Sequence, residues 1–343
     1  MALTDPNAAS AGDGIYGLDC TPEEAAVVLV PVPFDATTSY RPGTADGPAA
    51  ILAASGQVDL HDREVGDPWR AGIALLPEDP AIVTRAQEAR RRVNALRDGA
   101  TGDPAGDLEH VNALCAEVND TVRATVAGWL RAGRIVGTVG GDHATAFGAI
   151  AAHAAHYGDI GILHIDAHAD LRRDYEGFRW SHASVMEAVC RELPGVTRLV
   201  QVGVRDYCEE EAERIDASGG RIVTFFDADL QARLAAGEPW AALVDEMLAP
   251  LPATVYLSFD IDGLEPALCP HTGTPVPGGL NFAQACFLLR ALAQSGRRLV
   301  GFDLVEVAPG PAGDEWDGNV GARLLYKLIG HALATRAGEP GTP

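Results

Sequence analysis

The sequence predicts an α/β protein of three layers, α/β/α, around a central, mainly parallel sheet. Two observations carry that prediction. Short apolar runs rich in β-branched residues alternate with amphipathic stretches of helical period along the 343-residue chain. Three of those runs end in histidine or aspartate, at the edge where an open parallel sheet binds its ligands. With 47% hydrophobic residues there is material for a large core. The chemistry-bearing segments extend from His143 to Glu306, so one domain over 20–336 is expected in place of two. Residues 1–19, rich in Ala, Gly and Asp, read as a flexible N-terminal arm and 337–343 as a short C-terminal tail.

In order, residues 25–34 are valine-rich and form a first strand. Polar, turn-rich residues 35–47 follow, and Pro48 opens a helix over 49–54. Residues 58–60 and 72–76 are short strand candidates, with His61-Asp62-Arg63-Glu64 solvated between them. Glycines and prolines mark 98–107 as a loop between helical segments. Over 108–132 the residues Val111, Leu114, Cys115, Val118, Val122, Val126 and Leu130 draw the stripe of a long amphipathic helix. A strand at 134–139 enters Gly140-Gly141-Asp142-His143, and a helix over 144–157 leads to the strand 161–165. Strands at 199–204 and 221–226 flank a helix around 209–215. A helix around 239–248 precedes the strand 255–259. Asn281 is a good N-cap for a helix over 282–293. The strand 299–305 ends at Glu306, and a helix over 323–333 closes the chain.

Asp166, His168 and Asp170 alternate with two alanines, so an extended strand end puts all three on one side. Two carboxylates and an imidazole are costly to gather on one face unless a cation sits among them. His143 follows a second strand, and Asp260 and Asp262 follow a third. Such oxygen and imidazole donors without thiolate suit Mn²⁺, Zn²⁺ or Fe²⁺. Six ligands exceed what one catalytic ion with an open position takes, and fit two ions sharing carboxylates.

A formal charge of −22 argues against nucleic acid as a partner and favours cationic substrates. No apolar run is long enough for a membrane span, and no signal peptide is visible. The six cysteines show no Cys-x-x-Cys spacing, so reduced thiols in a cytoplasmic protein are expected. Cys269, just beyond Asp262, would disturb the site if oxidised.

The segments Gly140-Gly141-Asp142-His143-Ala144, Asp166-Ala167-His168-Ala169-Asp170 and Ser258-Phe259-Asp260-Ile261-Asp262-Gly263-Leu264-Glu265-Pro266 resemble the ureohydrolases, the family of arginases and agmatinases. Thr272-Gly273-Thr274-Pro275 and Phe302-Asp303-Leu304-Val305-Glu306-Val307 extend the resemblance over most of the chain. It implies the arginase-like ureohydrolase fold and two Mn²⁺ per chain. One ion would be held by His143, Asp166, Asp170 and Asp260, the other by His168, Asp166, Asp260 and Asp262, with Asp166 and Asp260 shared. His182, in Trp180-Ser181-His182-Ala183-Ser184, would be the proton shuttle, acting beside Asp170. Glu306 would pair with the guanidinium, Thr274 would shape the pocket, and 41–48 would form a loop near the substrate mouth. His164 is either a neighbour of the ligands or a satisfied core histidine; His271 would face the pocket, and the other histidines are structural or exposed.

The loop 171–179 lacks the arginase pattern and is closer to the agmatinase-like branch. Asp174 and Glu176 offer carboxylates to a distal ammonium, whereas Arg172, Arg173 and Arg179 offer cations to a carboxylate. The reading taken is a manganese amidinohydrolase that converts agmatine and water to putrescine and urea. The alternatives are arginase, guanidinobutyrase, guanidinopropionase or formiminoglutamase. The related one-zinc deacetylases are a different class, and a silent metal-binding protein on the same fold is another. A homo-oligomer, trimer or hexamer, is implied by the resemblance.

Overall fold

In a computed structural model of the chain, the described residues are Pro6 and 12–336. Among the described residues eight strands form one sheet: β1 Val27–Val32, β2 Ile73–Leu75, β3 Ile135–Gly140, β4 Ile160–Ile165, β5 Val196–Val204, β6 Ile222–Phe226, β7 Thr254–Asp260 and β8 Arg298–Val305. Their order is β2-β1-β3-β8-β7-β4-β5-β6, and every pairing is parallel. All residues of β1, β3 and β4 are buried, as expected where helices cover both faces.

Each face has its own core, because alternate residues of a strand point to opposite sides. On one side Leu163, Ile165, Val255 and Leu257 pack with α1 (Gly47–Ser55), α8 (Trp240–Leu248), α9 (Phe282–Gln294) and α10 (Trp316–Arg336). On the other, Val136, Ile162 and Tyr256 pack with α2 (Pro80–Arg97), α3 (Pro104–Arg131), α4 (Ala146–Tyr157) and α5 (Val185–Glu192). The helices α6 (Glu209–Ala217) and α7 (Asp227–Ala235) follow β5 and β6. No described helix is long and apolar enough to cross a membrane.

Several local expectations change. Residues 58–60 make no strand; they are irregular and follow the turn at 56–57 that closes α1. Asp62 and Glu64 are not solvated, since the sole lysine, Lys327 on α10, reaches them at 3.0 and 2.7 Å. The helix α3 starts at Pro104, inside the stretch read as a loop, where Asp103 caps it by accepting from Gly106 N–H. The helical segment expected before 98 is α2, which buries Ile82, Ala86, Ala89 and Val93, whereas α7 buries only Asp227 and Leu230 and has no readable stripe. The helix α10 begins at Trp316, well before 323. Most of the expected arm over 1–19 lies outside the described residues, as does the tail 337–343. Within the arm, however, Ile15, Tyr16 and Leu18 are buried, and the Tyr16 hydroxyl donates to Ala322 O at 3.0 Å.

Candidate metal centre

The strand order decides what meets at the carboxyl edge. The strands β3, β8, β7 and β4 are consecutive neighbours at the centre of the sheet. Their ends deliver, in that spatial order, His143, Glu306, the pair Asp260 and Asp262, and the trio Asp166, His168 and Asp170. The turn after β3 needs glycine: a Cβ on Gly141 would lie 2.0 Å from Phe34 O. Its amide donates to Val32 O and its carbonyl accepts from Glu306 N–H at 2.8 Å, joining the ends of β1, β3 and β8. Asp170 and Glu306 both have left-handed backbones, φ 55° and 61°, a strained conformation for residues with side chains.

His143 Nδ1 faces three carboxylate oxygens, Asp166 Oδ2 at 2.9 Å, Asp170 Oδ2 at 3.1 Å and Asp260 Oδ2 at 3.4 Å. His168 Nδ1 faces Asp262 Oδ2 at 3.2 Å and Asp166 Oδ1 at 3.4 Å. Thus all six residues expected as ligands come together in two overlapping groups that share Asp166. Backbone amides hold one oxygen of three of these carboxylates. Asp166 Oδ1 accepts from His168 N–H at 2.6 Å, Asp260 Oδ1 from Asp262 N–H at 2.8 Å and Asp262 Oδ1 from Ala167 N–H at 3.0 Å. The other oxygen of each is aimed inward. The donor set fits divalent cations. Four buried carboxylates converge, and among the described residues the only side chains paired with them as bases are imidazoles. Burial, with Asp166 beside it, pushes Asp170 up to about 6, and burial with Asp262 and Asp166 near raises Asp260 well above the usual range. Burial and like charge thus both oppose ionisation of these carboxyls, and a cation among them would relieve that cost. Burial opposes the charge on Asp166 too, but His164, His143 and His168 outweigh it and hold its carboxyl well below the ordinary value.

A cavity of about 130 Å³ opens over the groups at His168 and Asp170. Ser39, His182 and Thr274 line it, as do Arg172, Tyr175, Asp206 and Glu211. His182 Nδ1 lies 3.4 Å from Thr37 Oγ1 and its Nε2 3.4 Å from Ser39 Oγ. Burial, with the positive side chains His168 and Arg97 near, pushes His182 down to about 3. Glu306 is buried; its Oε1 accepts from His143 N–H at 3.0 Å, while Oε2 has no hydrogen-bond partner among the described residues. Thr274 Oγ1 lies 3.5 Å from Asp262 Oδ2. His271 pairs with Asp317 at 2.8 Å. His164 is buried and reaches Asp166. The Cys269 thiol is buried, donates to Ile261 O and is pushed up by burial beside Asp262, which makes it unreactive.

The specificity loop is arranged unlike its sequence pattern suggests. Glu176 pairs with Arg97 at 2.6 Å, and neither it nor Asp174 lines the cavity. Arg172 does line it, but its guanidinium sits 5.1 Å over the Tyr175 ring and 3.6 Å from Glu211. Arg179 is turned outward toward Glu109. Two acids not singled out from the sequence, Asp206 and Glu211, stand on the wall instead. Asp206 lies just past the end of β5, as the acids above lie at or past the ends of their strands; the same strand-end rule, applied to Gly203-Val204-Arg205-Asp206, would have found it. Beside it, Arg205 binds the carbonyls of Gly203, Asp262, Leu264 and Val276 and fixes the loop behind Asp262.

A wholly parallel α/β/α sheet whose central strand ends gather two overlapping histidine–aspartate groups defines a metal-dependent hydrolase. The chain belongs to the arginase family, whose model matches residues 25–331. Among curated relatives, an N(1)-aminopropylagmatine ureohydrolase of Thermus thermophilus is 35% identical over 319 residues, 92% of this chain and 94% of the relative. An agmatinase of Cronobacter sakazakii is 31% identical, covering 92% of this chain and 90% of the relative. Among solved structures, the agmatine ureohydrolase of Thermoplasma volcanium aligns with a TM-score of 0.73 at 25% identity, over 96% of this chain and 97% of that one. The enzyme is accordingly a ureohydrolase acting on a guanidino C–N bond.

Proposed function

We propose that this enzyme hydrolyses agmatine to putrescine and urea with two Mn²⁺ ions. The observation that carries the substrate is the charge on the cavity wall. Asp206 is there with its side chain 68% exposed, while Arg172 is occupied by Glu211 and Tyr175. A cationic tail is matched at that wall and a carboxylate tail is not. His143, Asp166, Asp170 and Asp260 would hold one ion, and His168, Asp166, Asp260 and Asp262 the other. When bound, the ions supply the charge that makes water a usable nucleophile at neutral pH.

The chain's own groups do the rest. Glu306 binds the guanidinium through its unpaired Oε2, a charge-assisted bond inside a buried pocket. Thr274, bonded to Asp262, borders the same space. Water oxygen bonds to the guanidinium carbon, and the bond from that carbon to the alkyl nitrogen breaks. The leaving nitrogen takes up a proton. His182, neutral at pH 7, is placed by Thr37 and Ser39 to receive the water's proton and hand it to that nitrogen. Asp206 takes the distal ammonium.

One observation favours a second substrate, N(1)-aminopropylagmatine. The rim at Asp206 is open, so a longer tail with a further amine has room, and relatives at 35% identity carry that name. The six cysteines are all free, which supports a reducing, cytoplasmic location, and the family resemblance supports a homo-oligomer.

The test is urea release from agmatine, aminopropylagmatine, arginine, guanidinobutyrate and guanidinopropionate, with formamide release from formiminoglutamate, by protein loaded with Mn²⁺. Turnover of the amine-tailed substrates is expected, with two manganese per chain by elemental analysis. Preferential turnover of a carboxylate-tailed substrate would overturn the reading.

A further inference from the structure

Two buried histidines approach one carboxylate oxygen. His143 Nδ1 and His164 Nε2 each lie 2.9 Å from Asp166 Oδ2, with ring centroids 5.0 Å apart. Both belong to the same group of potential ligands, with Asp166 and Asp170. Distance does not separate them. An imidazole nitrogen binds a metal through its lone pair, so a nitrogen that carries hydrogen is not a ligand. Which nitrogen carries it is set by what the opposite nitrogen touches.

For His164 the opposite nitrogen touches Gln201, which faces it across the pairing of β4 with β5. The Gln201 amide is fixed in orientation. Its Nε2 lies 2.7 Å from Ala169 O, a carbonyl that can only accept, and its Oε1 accepts from Thr224 Oγ1 at 2.9 Å. The same NH₂ gives its second hydrogen to His164 Nδ1 at 3.0 Å. His164 Nδ1 therefore presents a lone pair to Gln201, and Nε2 carries the hydrogen that points at Asp166.

For His143 the chain runs the other way. Ser258 Oγ has one hydrogen, given to Asp303 Oδ1 at 2.9 Å, an oxygen that also accepts from Phe259 N–H at 3.3 Å. Ser258 Oγ then accepts from His143 Nε2–H at 2.9 Å. The His143 Nδ1 lone pair is left facing Asp166, Asp170 and Asp260.

We propose that His164 is a hydrogen-bond donor that orients the shared carboxylate of Asp166, and not a third imidazole ligand. Gln201, backed by Thr224, is the positioning residue that holds it in that tautomer. This rests on the metal reading above. Asp166 Oδ1 is fixed by His168 N–H and Oδ2 by His164 Nε2–H. Each oxygen keeps a second lone pair, one toward each group, as a carboxylate between two ions requires.

The test is ¹⁵N NMR of histidine-labelled, otherwise unaltered protein, metal-free and then titrated with diamagnetic Zn²⁺. The expected result is Nε2–H at His164 throughout, while His143 Nδ1 and His168 take the shifts of metal-bound nitrogens. A bound-type shift at His164 Nε2, or hydrogen on its Nδ1 in the free protein, overturns the proposal. Calorimetry with Mn²⁺ adds a second readout. Gln201→Leu should still bind two ions per chain but roughly 10- to 100-fold more weakly, whereas His143→Ala should lose one ion. Unchanged affinity in Gln201→Leu overturns the positioning role. If the unsubstituted protein binds no ion, the metal reading fails, and the metal-free spectrum still decides the tautomer.

Discussion

Replacing Glu306 with Gln tests the substrate pocket against the fold. The substitution keeps the shape and the acceptor that Oε1 offers to His143 N–H at 3.0 Å. It removes the charge on a buried carboxylate whose Oε2 has no hydrogen-bond partner among the described residues. A hydrogen bond from a guanidinium to that oxygen is charge-assisted and shielded from water. Losing its charge should cost about 2–3 kcal/mol of transition-state binding, or roughly 30- to 150-fold in kcat/KM. Stability should move the opposite way. Burial, with Asp142 and Asp262 near, holds the Glu306 carboxyl well above its ordinary 4.5. The native state therefore binds that proton more tightly than the unfolded chain. Its stability falls as pH rises through the window above 4.5. Gln does not titrate, so the chelator-treated variant should be more stable than the unsubstituted protein at pH 8, and the difference should shrink toward pH 4. The assays are initial rates of urea release from agmatine and urea denaturation of metal-free protein. A variant within threefold of the original kcat/KM, or one less stable at pH 8, would refute the reasoning.

Three further outcomes are expected. Asp206→Ala should raise KM for agmatine with little change in kcat, by roughly two- to fivefold, because the side chain is exposed; an unchanged KM would remove it from tail recognition. Lys327→Met should cost about 1–3 kcal/mol in denaturant unfolding, since Asp62 and Glu64 lose the half-buried ammonium between them, while kcat stays the same; equal stability would show the clamp to be idle. Burial pushes His153 and His331 down to about 4 from 6.5. The unfolded chain takes up these protons first, so stability should be lost as pH falls from 6.5 toward 4, by roughly 1.4 kcal/mol per unit for each group. His331→Leu should make that loss shallower, and an unaltered slope would contradict it.

Much of the site was legible because strand-end chemistry is local. The residue types Asp166, His168 and Asp170, and the paired acids Asp260 and Asp262, can be read within a few residues of their strands, but β4 stops at Ile165 and Asp170 is left-handed, so a loop and not an extended strand end presents the first three. The long helix α3 and the buried strands were legible for the same reason: burial on one face or two imposes a period on the chain. The helix α7 was not, because it buries only Asp227 and Leu230, too few positions to draw a periodic stripe. The arm was misread at Ile15, Tyr16 and Leu18, which join the core; Tyr16 meets Ser55 on α1 and Ala322 on α10, the latter some three hundred positions away.

The pattern of residues determined the fold class and the family and picked out the histidines and aspartates expected as ligands, since side-chain type and spacing are written locally along the chain. Packing fixed the order of strands that brings β3, β8, β7 and β4 side by side, and with it which ends share a site. It also turned Glu176 toward Arg97, brought Asp206 and Glu211 to the cavity wall, and set Gln201 behind His164. Those pairings join segments far apart in sequence, and a hydrogen bond or ion pair depends on a few ångströms and a direction. Local pattern carries neither.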